Sequence, residues 1–173
     1  MIVMHITDVK YYGICLKFQF QSIYIIWILD EVDTVLLDEQ SKIIGFKTVD
    51  ELHVFLEKNN MQLTDEVSCV DVGKVQRWIV SPNKNIDYLT FLDTWNLFID
   101  ISESLNIAYL GDKKGAVRNS VYNKLFDRAG PFITQDSSAI FNEKEIVVLA
   151  KIMENGFDLL LNNLSITVKP VLP

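Results

Sequence analysis

The residues of this chain whose types and spacing could do chemistry are carboxylates. Asp93 and Asp100 stand seven positions apart, and on a helix that places them about 10 Å from each other along one face. Paired acids work as general acid and base in inverting glycosidases at roughly 6.5–9.5 Å, so this pair is too wide, and no second motif supplies further groups. A di-metal bundle would need Glu-x-x-His, which the chain lacks. A solvated polar helix face, shared with Asn96, Glu103 and Ser104, accounts for the pair without a reaction. Leu97 interrupts that face. Either a second layer covers it, or it is an apolar anchor ringed by Asp93, Asn96, Asp100 and Glu103, which is how an interface hot spot is built.

A second group of acids lies in two strand links, Asp30, Glu31 and Asp33 in one, Asp38 and Glu39 in the next. Asp30, Asp33 and Asp38 do not fit the calcium-loop spacing, and turns favour Asp for local backbone reasons. If these acids cluster, they form a negative patch that can steer a cationic partner. Other chemistry is poorly supplied. His5 and His53 have no metal-ligand spacing between them or with a cysteine, so no metal and no cofactor are expected. No serine sits in a G-x-S-x-G elbow, and neither Cys15 nor Cys69 has a base beside it in sequence. Gly111-Asp112-Lys113-Lys114-Gly115 lacks phosphate-loop spacing and reads as a solvated, hairpin-like loop. No catalytic residue is expected.

The elements that position these groups follow from periodicity. Tyr12, Ile14, Leu16, Phe18 and Phe20 alternate with smaller or polar residues, as in a half-buried strand. Ile23–Leu29 is apolar on both faces and reads as a central, covered strand. Thr34–Asp38 and Lys42–Phe46 give a third and a fourth. Links this short exclude parallel crossovers, so an antiparallel meander is expected. Thr48-Val49-Asp50-Glu51 is a capping box opening a helix that Asn59-Asn60 stop. Residues 61–71 read as loop, and Val72–Val80 as a short helix.

The largest element is the helix that carries Asp93 and Asp100. Asp87 is its N-cap and Asn106 its left-handed C-terminal residue, with Tyr88, Phe91, Leu92, Trp95, Phe98, Ile99 and Ser102 on one face. Val117, Val121, Tyr122, Leu125 and Phe126 mark a further helix ended by Gly130-Pro131. Phe132–Phe141 is irregular. Asn142 and Glu145 open a last helix through a second capping box, and Gly156 is expected to end or break it. The expected architecture is α+β, an N-terminal antiparallel β-meander packed against a C-terminal helical layer. One domain covers 1–173, with 1–46 mainly strands, 47–164 mainly helical and 165–173 a tail.

The totals set limits on function. In 173 residues the formal net charge is −7, and residues 1–106 hold 16 acids against 8 bases while 107–173 hold 7 against 8. Such a chain repels phosphates, so direct nucleic-acid binding is not expected. The plain alternative is that the acidity serves solubility alone. The longest apolar run, Ile23–Leu29, is far short of the roughly eighteen residues of a membrane span. The N-terminus has neither a basic region nor a cleavage site for a signal peptide, and two unpaired cysteines suit the cytoplasm.

Phe91-Leu92-Asp93-Thr94-Trp95-Asn96-Leu97-Phe98-Ile99-Asp100-Ile101, followed by Val121-Tyr122-Asn123-Lys124-Leu125-Phe126 and preceded by Ile43-Ile44-Gly45-Phe46-Lys47-Thr48, resembles small bacterial immunity proteins of the contact-dependent growth inhibition type. The resemblance spans about residues 23–160 and departs at Asp127-Arg128-Ala129-Gly130. It implies a cytoplasmic, non-enzymatic monomer that binds a cognate toxin domain and blocks it. The acidity suits a basic nuclease toxin, with carboxylates standing in for substrate phosphates. The residues expected to meet the toxin are Asp30, Glu31, Asp33, Asp38 and Glu39, or the helix group Asp93, Leu97, Asp100 and Glu103. The alternatives are a small enzyme with an acidic active site, which needs a concave pocket of perturbed acids, and a self-associating adaptor subunit.

Overall fold

The computed structural model describes residues 9–130 and 141–166. Met1–His5, most of Phe132–Phe141 and the tail from residue 167 onward lie outside them. Strands β1 (Lys10–Lys17) and β2 (Ser22–Leu29) form an antiparallel hairpin in which Tyr12 faces Trp27 and Lys17 faces Ser22. The Phe18 amide donates to the Gln21 carbonyl at 2.9 Å, so the first strand ends earlier than its alternation suggests. Phe20 therefore sits in the turn, 91 % exposed. β3 (Thr34–Val35) adds antiparallel to β2 and is shorter than expected. After it, Leu36 takes part in two pairings, its amide donating to Ile26 and its carbonyl accepting from Ile44. β4 (Ile43–Gly45) follows by an antiparallel bridge between Leu37 and Ile43, as the meander requires, and the residue after it, Phe46, bridges Tyr24 of β2.

The meander is thus antiparallel through β1–β3, and two parallel pairings complete a mixed arrangement. β5 (Ser68–Val70), in the stretch expected to be loop, joins β1 in parallel, giving the order β3-β2-β1-β5. β6 (Leu164–Ile166), where helix and then tail were expected, pairs in parallel with β4. Both are three-residue strands whose partners lie more than fifty positions away, so no local alternation could reveal them. The α+β class stands as expected.

The helices follow their caps closely. α1 (Val49–Lys58) starts at Thr48, whose hydroxyl accepts from the Glu51 amide, while the Glu51 carboxylate accepts from the Lys47 amide. α2 (Val72–Val80) is capped by Asp71 and α3 (Tyr88–Leu105) by Asp87, with Asn106 left-handed at φ 54°. α4 spans Ala116–Ala129 and α5 Glu143–Asn163. At the start of α5, Asn142 and Glu145 exchange both bonds of the capping box. Gly156 does not break α5. It lies in mid-helix because the Phe98 ring packs on its backbone, where any Cβ would overlap the ring. Gly111-Asp112 belongs to a short 3-10 turn leading toward α4, not to a hairpin-like loop.

Apolar side chains collect on both faces of the sheet. Ile23 and Ile25 of β2 and Leu16 of β1 join α2–α5 in the larger cluster, centred on Trp95, Phe98 and Ile101. Ile26, Ile44 and Phe46 pack under Leu52 and Leu56 of α1. The double-sided reading of β2 holds. β1 is covered on both faces as well, since Cys15 is only 4 % exposed. Among the described residues no helix is long and apolar enough to cross a membrane.

Candidate partner-binding groove

β1 and β2 present an aromatic pair toward α3. Tyr12 and Trp27 are cross-strand partners, their rings 5.3 Å apart at 49°. Such neighbours stabilise a sheet by about 0.2–1 kcal/mol and leave one ring edge free at its face. The Trp27 indole N–H needs an acceptor there, and it donates to Oδ2 of Asp100 at 3.1 Å. One turn back along α3 comes Leu97, and one more brings Asp93. Together with Ile14 and the Ser68-Cys69-Val70 strand these residues line a groove of about 330 Å³, at the small end of ligand-sized pockets.

Leu97 is 5 % exposed, so of its two possible roles the covered one holds: it is the groove's apolar floor, under the sheet. α3 is therefore buried on more sides than its two-faced pattern implies, with Leu97 and Ile101 as well as Trp95 and Phe98 enclosed.

Ser104 settles where the first acidic link lies. The Val35 amide donates to Ser104 Oγ at 2.8 Å, and that hydroxyl donates to the Asp100 carbonyl at 2.6 Å. This clip holds β3 against the last turns of α3, so the link carrying Asp30, Glu31 and Asp33 runs beside the helix acids. Burial pushes the Asp100 carboxyl up to about 7, the negative charges of Asp33 and Glu103 push the same way, and the Trp27 hydrogen bond opposes them. Asp93 is raised as well, by partial burial and then by Asp87. Two acid groups that the sequence left as alternatives thus come together at Asp100, where Asp33 of the link and Glu103 of the helix act on the carboxyl, and Asp93 lines the groove beside it, with Asp30 and Glu31 exposed in the link.

The second link lies elsewhere. Asp38 Oδ1 accepts from the Gln40 and Lys42 amides at 2.8 and 2.9 Å, shaping a tight turn with Ser41 left-handed. Lys42 Nζ in turn donates to Asn162 and Asn163 at the end of α5. Asp38 and Glu39 are thus not gathered with the groove acids.

Sequence reasoning missed Tyr12, Trp27 and the β5 residues of this site. Trp27 did carry a signal, since an indole N–H on a covered strand must find an acceptor. The cysteines, distant in sequence, are register partners across β1 and β5 and both are free thiols. Burial and then Cys15 push the Cys69 thiol up, which makes it a weaker nucleophile. His53 is exposed on α1, and among the described residues no three His, Cys, Asp or Glu side chains are placed to hold a metal ion. The two stretches behind the resemblance pack on each other: Trp95 meets Tyr122 edge-on at 5.3 Å, and Tyr122 donates to Asn96 Oδ1 at 3.0 Å.

No known protein family matches the sequence, and no curated protein does. Among solved structures, the C-terminal domain of SatS, determined in complex with bromine, superposes with a TM-score of 0.55 and 12 % identity. The match covers 92 % of this chain and 94 % of that one. The likeness is one of fold. It extends over nearly the whole of both chains and supports the α+β assignment.

Proposed function

We propose that this protein is an inhibitor of the immunity type, which binds a cognate toxin domain, a basic nuclease, and occludes its active site. The observation that carries this reading is an apolar, aromatic-walled groove lined by Asp93 and Asp100, with Asp33 and Glu103 close enough to Asp100 for their charges to act on it. The ion pairs among the described residues, Lys74–Asp87 and Lys124–Glu145, engage other acids. Among the described residues no cation of the fold pairs with the groove's carboxylates, of which Asp93 is exposed and Asp100 half-buried, as on a surface that receives cations from a partner. On this reading the chain acts in the cytoplasm, is a monomer apart from the complex, needs no cofactor and makes no direct contact with nucleic acid.

The test is co-expression with the C-terminal domain of a large secreted protein encoded directly upstream, which this reading predicts. Equal-stoichiometry co-purification, weakening as salt rises, and loss of nuclease activity in the complex support the reading. Failure to associate at low salt overturns it.

The rival reading, an enzyme with an acidic active site, draws on Asp100 too, because a carboxyl titrating near neutrality suits general acid–base work. It predicts turnover with a bell-shaped pH profile that Asp100→Asn abolishes. The inhibitor reading predicts a stoichiometric effect only.

A further inference from the structure

Resting on the inhibitor reading, we infer that the groove seats one arginine side chain of the partner protein, its stem on the Leu97 and Val70 floor and its guanidinium beside the Trp27 ring, donating to Oδ1 of Asp100, the oxygen that the indole N–H does not engage. Three features of the groove converge on that occupant.

Size is the first. About 330 Å³ accommodates one long side chain and is too little for a packed loop or helix. The lining is the second. An apolar floor matches the methylene stem, which long cationic side chains bury while their heads stay polar. The Tyr12 and Trp27 rings line the groove, and aromatic rings attract cations, Trp most strongly. The fold already uses this pairing internally, with the Arg118 guanidinium 5.2 Å from the Trp95 ring centre and 5.0 Å from that of Tyr122.

Charge is the third. Among the described residues the Asp100 carboxylate receives one hydrogen bond, from the indole to Oδ2, which leaves acceptor capacity on Oδ1. Burial and the fields of Asp33 and Glu103 disfavour its ionised form in the free protein, and a guanidinium alongside would reverse that. Asp93, two helical turns away, takes no part in an ion pair among the described residues and adds to the attraction at the other end. A planar fork that both stacks on an indole and donates to a carboxylate is the chemistry of arginine, which an ammonium does not reproduce.

The test titrates the full chain with N-acetyl-arginine methylamide and, in parallel, with its neutral isostere N-acetyl-citrulline methylamide, following the Trp27 indole N–H resonance. A saturable shift with the arginine compound alone supports the seat. So does proton release on binding near pH 7, as the cation draws the Asp100 carboxyl downward. Asp100→Asn is expected to weaken binding by about tenfold or more and to abolish the proton release. Asp93→Asn, a milder change at the mouth, is expected to weaken it by a smaller factor. The seat is overturned by equal shifts from both compounds, by no saturable shift, or by undiminished binding to Asp100→Asn. Toxin association is read separately. A toxin domain that binds the wild-type and Asp100→Asn chains equally overturns the seat and leaves the inhibitor reading standing. Arginine binding without any toxin association supports the seat and overturns the inhibitor reading.

Discussion

Trp27 and Asp100, 73 residues apart, are joined by a 3.1 Å hydrogen bond from the indole nitrogen to the carboxylate. It links the middle of the sheet to α3, and it holds a carboxyl in the wall of a groove where the charges of Asp33 and Glu103 act on it. The bond gives the groove a fixed wall, and burial with the crowding favours the protonated form of that wall's carboxyl.

This arrangement costs stability at neutral pH. The Asp100 carboxyl is raised from an ordinary 3.8 to about 7, so between those values the native state holds a proton that the unfolded chain has lost. Its contribution therefore falls as pH rises through that window and reaches its minimum above 7. Asp100→Asn keeps an acceptor for the indole and removes the charge. It is expected to stabilise the protein by on the order of 1 kcal/mol at pH 8, after allowance for solvent screening of a half-exposed group, with little effect at pH 4. Urea unfolding at the two pH values measures this, and equal effects at both would contradict it.

Glu145 carries the opposite sign. Burial pushes its carboxyl up, but Lys124 at 2.7 Å, the Asn142 amide and the Ser120 hydroxyl together hold it below the ordinary range. Its contribution is complete above the unfolded carboxyl value and is lost as pH falls through the lower folded one. Glu145→Ala is expected to cost about 2–4 kcal/mol at pH 7, since it removes the 2.7 Å carboxylate partner of a partly buried ammonium and opens the helix cap together. Acid titration of the wild-type chain, followed by the unfolding midpoint, checks the direction. In the variant the acid-side loss should shrink.

Gly156 tests the packing of α3 against α5. Replacing a mid-helix glycine by alanine normally gains about 1 kcal/mol. Here the new methyl would meet the Phe98 ring, which is itself fully buried against Phe157 and Tyr109. Gly156→Ala is therefore expected to destabilise by about 1–3 kcal/mol. Adding Phe98→Leu should recover part of that loss, as a double-mutant cycle in denaturant would show. Stabilisation by the single change would mean that the two helices part freely.

Elements announced by short-range signals were legible in the chain. The Thr48, Asp87 and Asn142 caps, the left-handed Asn106 and the double-sided apolar run of β2 all lie where their residue types put them, because caps and alternation are settled within a few positions. Gly156 misled for the same reason: its local meaning is a break, while its actual cause is a ring 58 positions earlier in the chain.

By itself the sequence determined the α+β composition, the helix starts at Thr48, Asp87 and Asn142, and which carboxylates were present to form a charged surface. Only the tertiary structure decided that Asp33 joins Asp93, Asp100 and Glu103 while Asp38 turns back on its own link. It also decided that Tyr12, Trp27 and β5 complete the groove. The reason is that pairing over long separations, such as β1 with β5, β4 with β6 and Val35 with Ser104, leaves no periodic trace in either partner. A carboxylate's charge state in turn depends on burial and neighbours that exist only once those pairings have formed.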